Sequence, residues 1–137
     1  MKKTKAVLLG VILWSLLLVS GCNFIRIEEE PRKPLEYSIV KNEDLPAELA
    51  ALIQEKKANE FQLTYQSEKE LFLIKGYGQQ MSGGYSISVE ACVLADDGIH
   101  VLFQLHGPAA DETIVKEPSW PCVVLKLPYR EGEIFFD

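Results

Sequence analysis

The stretch Tyr85–Leu105 leaves this chain little choice of fold class. Apolar side chains recur at every second residue through Tyr85, Ile87, Val89, Ala91 and Val93, and again through Ile99, Val101, Phe103 and Leu105. A period of two is the signature of a strand with one buried face. Between the two runs stands Asp96-Asp97-Gly98. Glycine takes positive φ without strain and aspartate tolerates it, so this is hairpin-turn chemistry. The spacing predicts two adjacent antiparallel strands. Tyr85, Ile87, Val89, Ala91 and Val93 are expected on one face, and Ser86, Ser88, Glu90, Cys92 and Leu94 on the other.

The rest of the chain supplies partners for that hairpin. Leu35–Val40 reads as a first strand. A helix is expected next, with Asp44 as its cap and Pro46 in its first turn, where no N–H is needed. Leu45, Leu49, Leu52 and Ile53 give it one apolar stripe to press on a sheet. Phe61, Leu63 and Tyr65 alternate with polar residues, and Leu71–Lys75 is nearly all apolar, as a strand covered on both faces would be. Cys122–Leu127 and Ile134–Phe136 read as further strands after the long connection Gly107–Trp120. The predicted class is α+β: a mainly antiparallel sheet of about six strands with one packing helix near the N-terminus.

The first residues follow a different logic. Met1-Lys2-Lys3-Thr4-Lys5 is basic, and Ala6–Val19 is apolar but shorter than the ~17–25 residues of a spanning helix. Val19-Ser20-Gly21-Cys22 resembles the lipobox of bacterial lipoproteins, in which the cysteine carries the lipid and cleavage falls just before it. Residues 1–21 are therefore expected to be a signal peptide, Cys22 the lipidation site, and 22–34 a tether with the acidic run Glu28-Glu29-Glu30 between Cys22 and Pro31. At ~3.3–3.6 Å per residue such a tether reaches about 40 Å. The expected location is the cell membrane, lipid-anchored and facing the extracytoplasmic side.

Removing residues 1–21 takes away three lysines and no acid, which leaves 11 basic against 20 acidic residues, a formal charge of −9. Nucleic acid and direct adhesion to anionic lipid both need clustered Lys and Arg, and are excluded as partners on that ground.

Signs of catalysis are few. The glycines of Lys75–Gly84 precede a strand rather than a helix, and no GK[ST] lysine follows them, which argues against a phosphate cradle. Ser82-Gly83-Gly84 shares a tripeptide with chymotrypsin-like proteases, but that chemistry needs a placed histidine and acid. The only histidines, His100 and His106, lie about 20 Å apart along one strand and cannot chelate one metal. They read as surface or turn-capping residues. Cys92 and Cys122 remain after lipidation of Cys22, and in an oxidising compartment they are compatible with one disulfide or with two free thiols. The expectation is a non-enzyme with no metal or cofactor. Tyr77 and Trp120, beside loops, are candidates for a contact patch or for caps on the sheet ends, and Tyr85 is expected to open the core face of its strand.

One resemblance adds to this. Leu71–Val89 reads as an apolar strand, Gly76-x-Gly78-Gln79, then Ser82-Gly83-Gly84-Tyr85-Ser86-Ile87-Ser88-Val89, and Trp120-Pro121 later leads into the apolar Cys122–Lys126. This pattern resembles the C-terminal domain of the PrcB family, from the Leu45-Pro46 helix onward, with Met81-Ser82 where Pro-Thr is usual. The resemblance implies a single β-rich domain over 35–137. It also implies an accessory subunit that stabilises or assembles a secreted or surface protease. The candidate partner-binding residues, in and beside the glycine-rich bend and the loops, are Tyr77, Gly83, Gly84, Tyr85 and Trp120. The alternatives are a protease inhibitor and a lipoprotein that binds a small ligand or envelope component.

Overall fold

The computed structural model describes residues 32–111 and 113–137. The expected signal peptide, Cys22 and the tether as far as Pro31 lie outside the described residues, as does Glu112. Among the described residues there are eight strands: β1 Lys33–Pro34, β2 Ser38–Ile39, β3 Glu60–Ser67, β4 Glu70–Tyr77, β5 Ser86–Ala95, β6 Gly98–His106, β7 Cys122–Pro128 and β8 Glu133–Phe136. One α-helix of the described residues, α1, spans Ala47–Lys56.

The strands divide into two four-stranded sheets, in the orders β1-β5-β6-β8 and β2-β7-β4-β3, where about six strands were expected. Two of the eight strands are only two residues long, too short to show a period. The antiparallel expectation holds for every pair except β6–β8, which is parallel.

The doubly apolar strands explain the layering. From β4 and β7, Leu71, Leu73, Val123, Leu125 and Leu127 join Cys92, Ile99 and Val101 in one buried cluster. From the opposite face of the same strands, Phe72, Ile74 and Val124 join Leu49 and Ile53 of α1 in a second. The β4–β7 sheet is therefore the middle layer, covered on one side by the β5–β6 sheet and on the other by the helix. Burying apolar surface at roughly 25 cal/mol per Å² on both faces makes this layer the main source of stability.

The expected alternation of β5 fails half-way. Val89 opposes Phe103 and Ala91 opposes Leu102, so Glu90 is an extra residue in a β-bulge. Ile87 and Val89 pack on the inner cluster as expected, but beyond the bulge it is Cys92 and Leu94 that do so, not Ala91 and Val93. The sheet begins earlier than Leu35, since Lys33 and Pro34 pair with Leu94 and Val93. Ser38 and Ile39 then pair with Lys126 and Leu125, so the segment 33–39 joins the edges of both sheets. At the helix start, Asn42–Asp44 forms a 3-10 turn, and Asp44 does not cap: the Pro46 carbonyl accepts the Ala50 N–H instead, at 2.9 Å.

Candidate protein-contact site

The bend after β4 and the connection before β7 are laced together. Gln80 N–H donates to the Ser119 carbonyl (2.7 Å) and Ser119 N–H to the Gln80 carbonyl (3.0 Å), a two-bond bridge. Gly83 N–H donates to the Val115 carbonyl (3.0 Å), and the Ser119 hydroxyl donates to the Ser82 carbonyl (2.6 Å). Tyr77 N–H donates to the Pro121 carbonyl at 3.0 Å. Two loops far apart in sequence thus share one hydrogen-bonded frame, which restricts their conformations before any partner arrives.

Glycine is required here for two separate reasons. Gly76 faces Phe61 across the β3–β4 pair, and a side chain on Gly76 would collide with that ring. Gly84 has φ of +88°, a conformation that costs an ordinary residue roughly 1–2 kcal/mol. Ser82 shapes the bend, its hydroxyl donating to the Gly83 carbonyl at 3.1 Å.

The frame holds apolar side chains outward. Met81 is 82% exposed, Val115 58%, Ile114 45% and Trp120 41%. Lys57 Nζ lies 4.9 Å from the centre of the Trp120 ring, and Lys75 Nζ 5.3 Å from that of Tyr77. Lys75 also pairs with Glu60 at 2.9 Å. Burial, and then the Glu60 carboxylate, push the Tyr77 phenol above its ordinary value. Tyr77, Gly83 and Trp120 are brought to this frame. Tyr85 falls one residue before β5, half-buried beside Gly107 and outside the inner cluster, so it does not open the core face. The sequence points to the bend Gly76–Gly84 and the loop Gly107–Trp120, but does not single out Met81, Ile114 and Val115 within them. Their signal was present: apolar side chains in loops, outside any strand or helix period.

The other candidate groups are occupied by structural roles. Cys92 and Cys122 are both free. Cys92 lies in the cluster between the sheets and Cys122 packs on the helix side, so the middle layer separates them and no disulfide links them. Burial raises the Cys92 thiol and pushes Cys122 up to about 11, away from the thiolate form a nucleophile needs. His106 is exposed, as expected, and its Nε2 lies 2.7 Å from the Ser88 hydroxyl. That hydroxyl gives its proton to Glu90 (2.6 Å), the reverse of a nucleophile activated by histidine. His100 is buried rather than on the surface, stacked on Phe135 at 4.7 Å and held between Asp97 and Asp137. Among the described residues no group of three or more His, Cys, Asp or Glu side chains is placed to hold a metal ion.

Residues 71–128 match the family model PrcB C-terminal. The matched segment runs from β4 to β7 and contains both laced loops. No curated protein and no solved structure matches the chain.

Proposed function

We propose that this chain is a membrane-anchored extracytoplasmic lipoprotein that performs no catalysis itself. It binds a protein, a secreted or surface peptidase, as a stabilising or assembling subunit. The observation that carries this reading is the hydrogen-bonded frame of 80–83 and 115–119, with Met81, Ile114, Val115 and Trp120 exposed upon it. Met and aromatic residues are enriched in interface cores, and a frame fixed in advance loses less entropy on binding. The PrcB C-terminal match supports the choice of a peptidase, because the family resemblance carries a protease-accessory role. Lipidation of Cys22 supplies the membrane anchor in this reading.

Affinity recovery from detergent-solubilised membranes tests it. The wild-type chain is expected to bring down a peptidase, and Met81→Asp with Val115→Asp to lose it at least tenfold. Repeated recovery with no peptidase counts against the proposal. A stabilising subunit lengthens the peptidase's active lifetime on addition, whereas an inhibitor lowers its rate at once.

A second reading, small-ligand binding, is favoured by an open cleft of about 340 Å³ lined by Leu35, Leu94 and Leu127 with Lys33 and Arg130. Its size falls at the low end for ligand sites, roughly 300–1,000 Å³. A ligand bound there raises the unfolding temperature in a panel screen.

A further inference from the structure

Among the described residues, β3 has a bare outer edge. It is the terminal strand of the order β2-β7-β4-β3, paired over all eight residues with β4 alone. No backbone hydrogen bond joins Glu60–Ser67 to any loop among the described residues. An edge strand points alternate N–H and C=O groups outward, a template for another strand. Proteins usually blunt such edges with proline, lysine, a bulge or brevity. Glu60–Ser67 carries no proline and no lysine, and its register with β4 runs without a shift. The other edge strands are two, two and four residues long. On the helix side, Phe61, Leu63 and Tyr65 join the α1 cluster but remain only partly buried.

We propose that β3 pairs antiparallel with β3 of a second copy of this chain, fusing two four-stranded sheets into one of eight about a two-fold axis. A two-fold axis normal to the sheet keeps like faces together, so opposed residues must have the same parity. In the register centred on Leu63, that residue meets its own copy, Phe61 meets Tyr65 of the second copy, and Gln62 meets Thr64 of the second copy. Aromatic and aliphatic pairs of this kind stabilise neighbouring strands.

Charge favours a second copy as the occupant. For a chain of formal charge −6, repulsion is the main obstacle to self-association. Glu60 is the only charged residue of β3, it is paired with Lys75, and it falls opposite Gln66 rather than another acid. The two copies of Glu60 stand about 20 Å apart along the paired strands, beyond the ~8–10 Å screening length. The strand is thus complementary to itself in apolarity and in charge.

Sedimentation equilibrium of the full chain in density-matched detergent reads the protein mass directly. The wild type is expected at twice the chain mass. Gln62 and Thr64 are exposed, so their substitution tests the edge without disturbing the core. Q62K/T64K sets four cations about the axis and is expected to halve the mass. Q62K/T64E sets opposite charges across the axis and is expected to restore it, with far-UV circular dichroism checking that each variant is folded. A monomeric wild type overturns the proposal, including the case in which the edge takes an extended segment of another protein. So does a folded Q62K/T64K chain that keeps its doubled mass, or a folded Q62K/T64E chain that stays monomeric.

Discussion

His100 joins the end of β8 to the β5–β6 turn: its Nδ1 lies 2.9 Å from Asp137 and its Nε2 2.7 Å from Asp97. A carboxylate at each ring nitrogen requires both to carry protons, so the geometry favours the imidazolium. The hydrogen bond to Asp97, and then that to Asp137, raise the His100 pKa above 6.5 against the opposing effect of desolvation. The same bond from His100 lowers Asp97 below 3.8.

The sign of the pH dependence follows. A raised histidine contributes stability that is complete below its unfolded value and is lost as pH climbs through the folded one. A depressed aspartate contributes above its unfolded value and loses it as pH falls through the folded one. Stability from this cluster is therefore greatest between the unfolded aspartate and histidine values, from about pH 4 to about pH 6.5. Amide-exchange protection of Ile134–Phe136, taken relative to the intrinsic exchange rate at each pH, should be greatest in that window and fall above it. His100→Gln should flatten the dependence; an unchanged profile in that variant would remove His100 as its source. Because both carboxylates are partly exposed, added salt should weaken the effect.

The adjacent glycines of the bend should behave differently. Gly84 has φ of +88°, so Gly84→Val is expected to cost roughly 1–2 kcal/mol. At Gly83 an added Cβ would meet Val115 only at 3.8 Å, an ordinary contact, and Gly83→Ala should stay within about 0.5 kcal/mol of wild type. Urea unfolding of both variants tests the contrast, and equal losses at the two positions would contradict the bend geometry.

Much of this fold was legible because it is local. The Asp96-Asp97 hairpin, the α1 stripe and the doubly apolar Leu71–Lys75 each declare themselves within a dozen residues. What stayed hidden depends on partners elsewhere. The bulge at Glu90 is a pairing fact, visible only once Val89 and Ala91 are set against Phe103 and Leu102. The outer-face partners of His100, Phe135 and Asp137, come from β8 and its end, the latter 37 residues further along the chain. The contact frame was half legible. Its glycines and Tyr77 stood out, but the bonds of Gln80 and Gly83 to Ser119 and Val115 cross a separation that no short-range pattern records.

The anchoring step has its own test. In the proposed reading, the basic start, the short apolar run and the small residues ending at Cys22 mark that thiol for the lipid. One acyl chain holds a protein only marginally, whereas two or more at about 0.8 kcal/mol per buried CH₂ hold it stably. Cys22→Ser should release the chain from membranes or stall its processing, read by fractionation and by the mass of the mature chain. Normal cleavage with full membrane retention would rule the anchor out.

The β3–β4 turn contains one strained residue. Ser67 pairs with Glu70, leaving Glu68 and Lys69 as a two-residue loop, and Glu68 has φ of +46°. Tight hairpins of this length favour glycine where φ is positive, because an ordinary residue there costs roughly 1–2 kcal/mol. Glycine relieves that strain but loses about 0.5–1 kcal/mol more backbone entropy on folding. The balance still favours the substitution. Glu68 is exposed and makes none of the ion pairs found among the described residues, so little else is lost with its side chain. Glu68→Gly should therefore stabilise the fold by up to about 1.5 kcal/mol, measured by urea unfolding with an unchanged m-value. Glu68→Pro, which fixes φ near −65°, should destabilise it by more than glycine gains. If both variants instead match the wild type, the positive φ at Glu68 is not a feature of the folded chain.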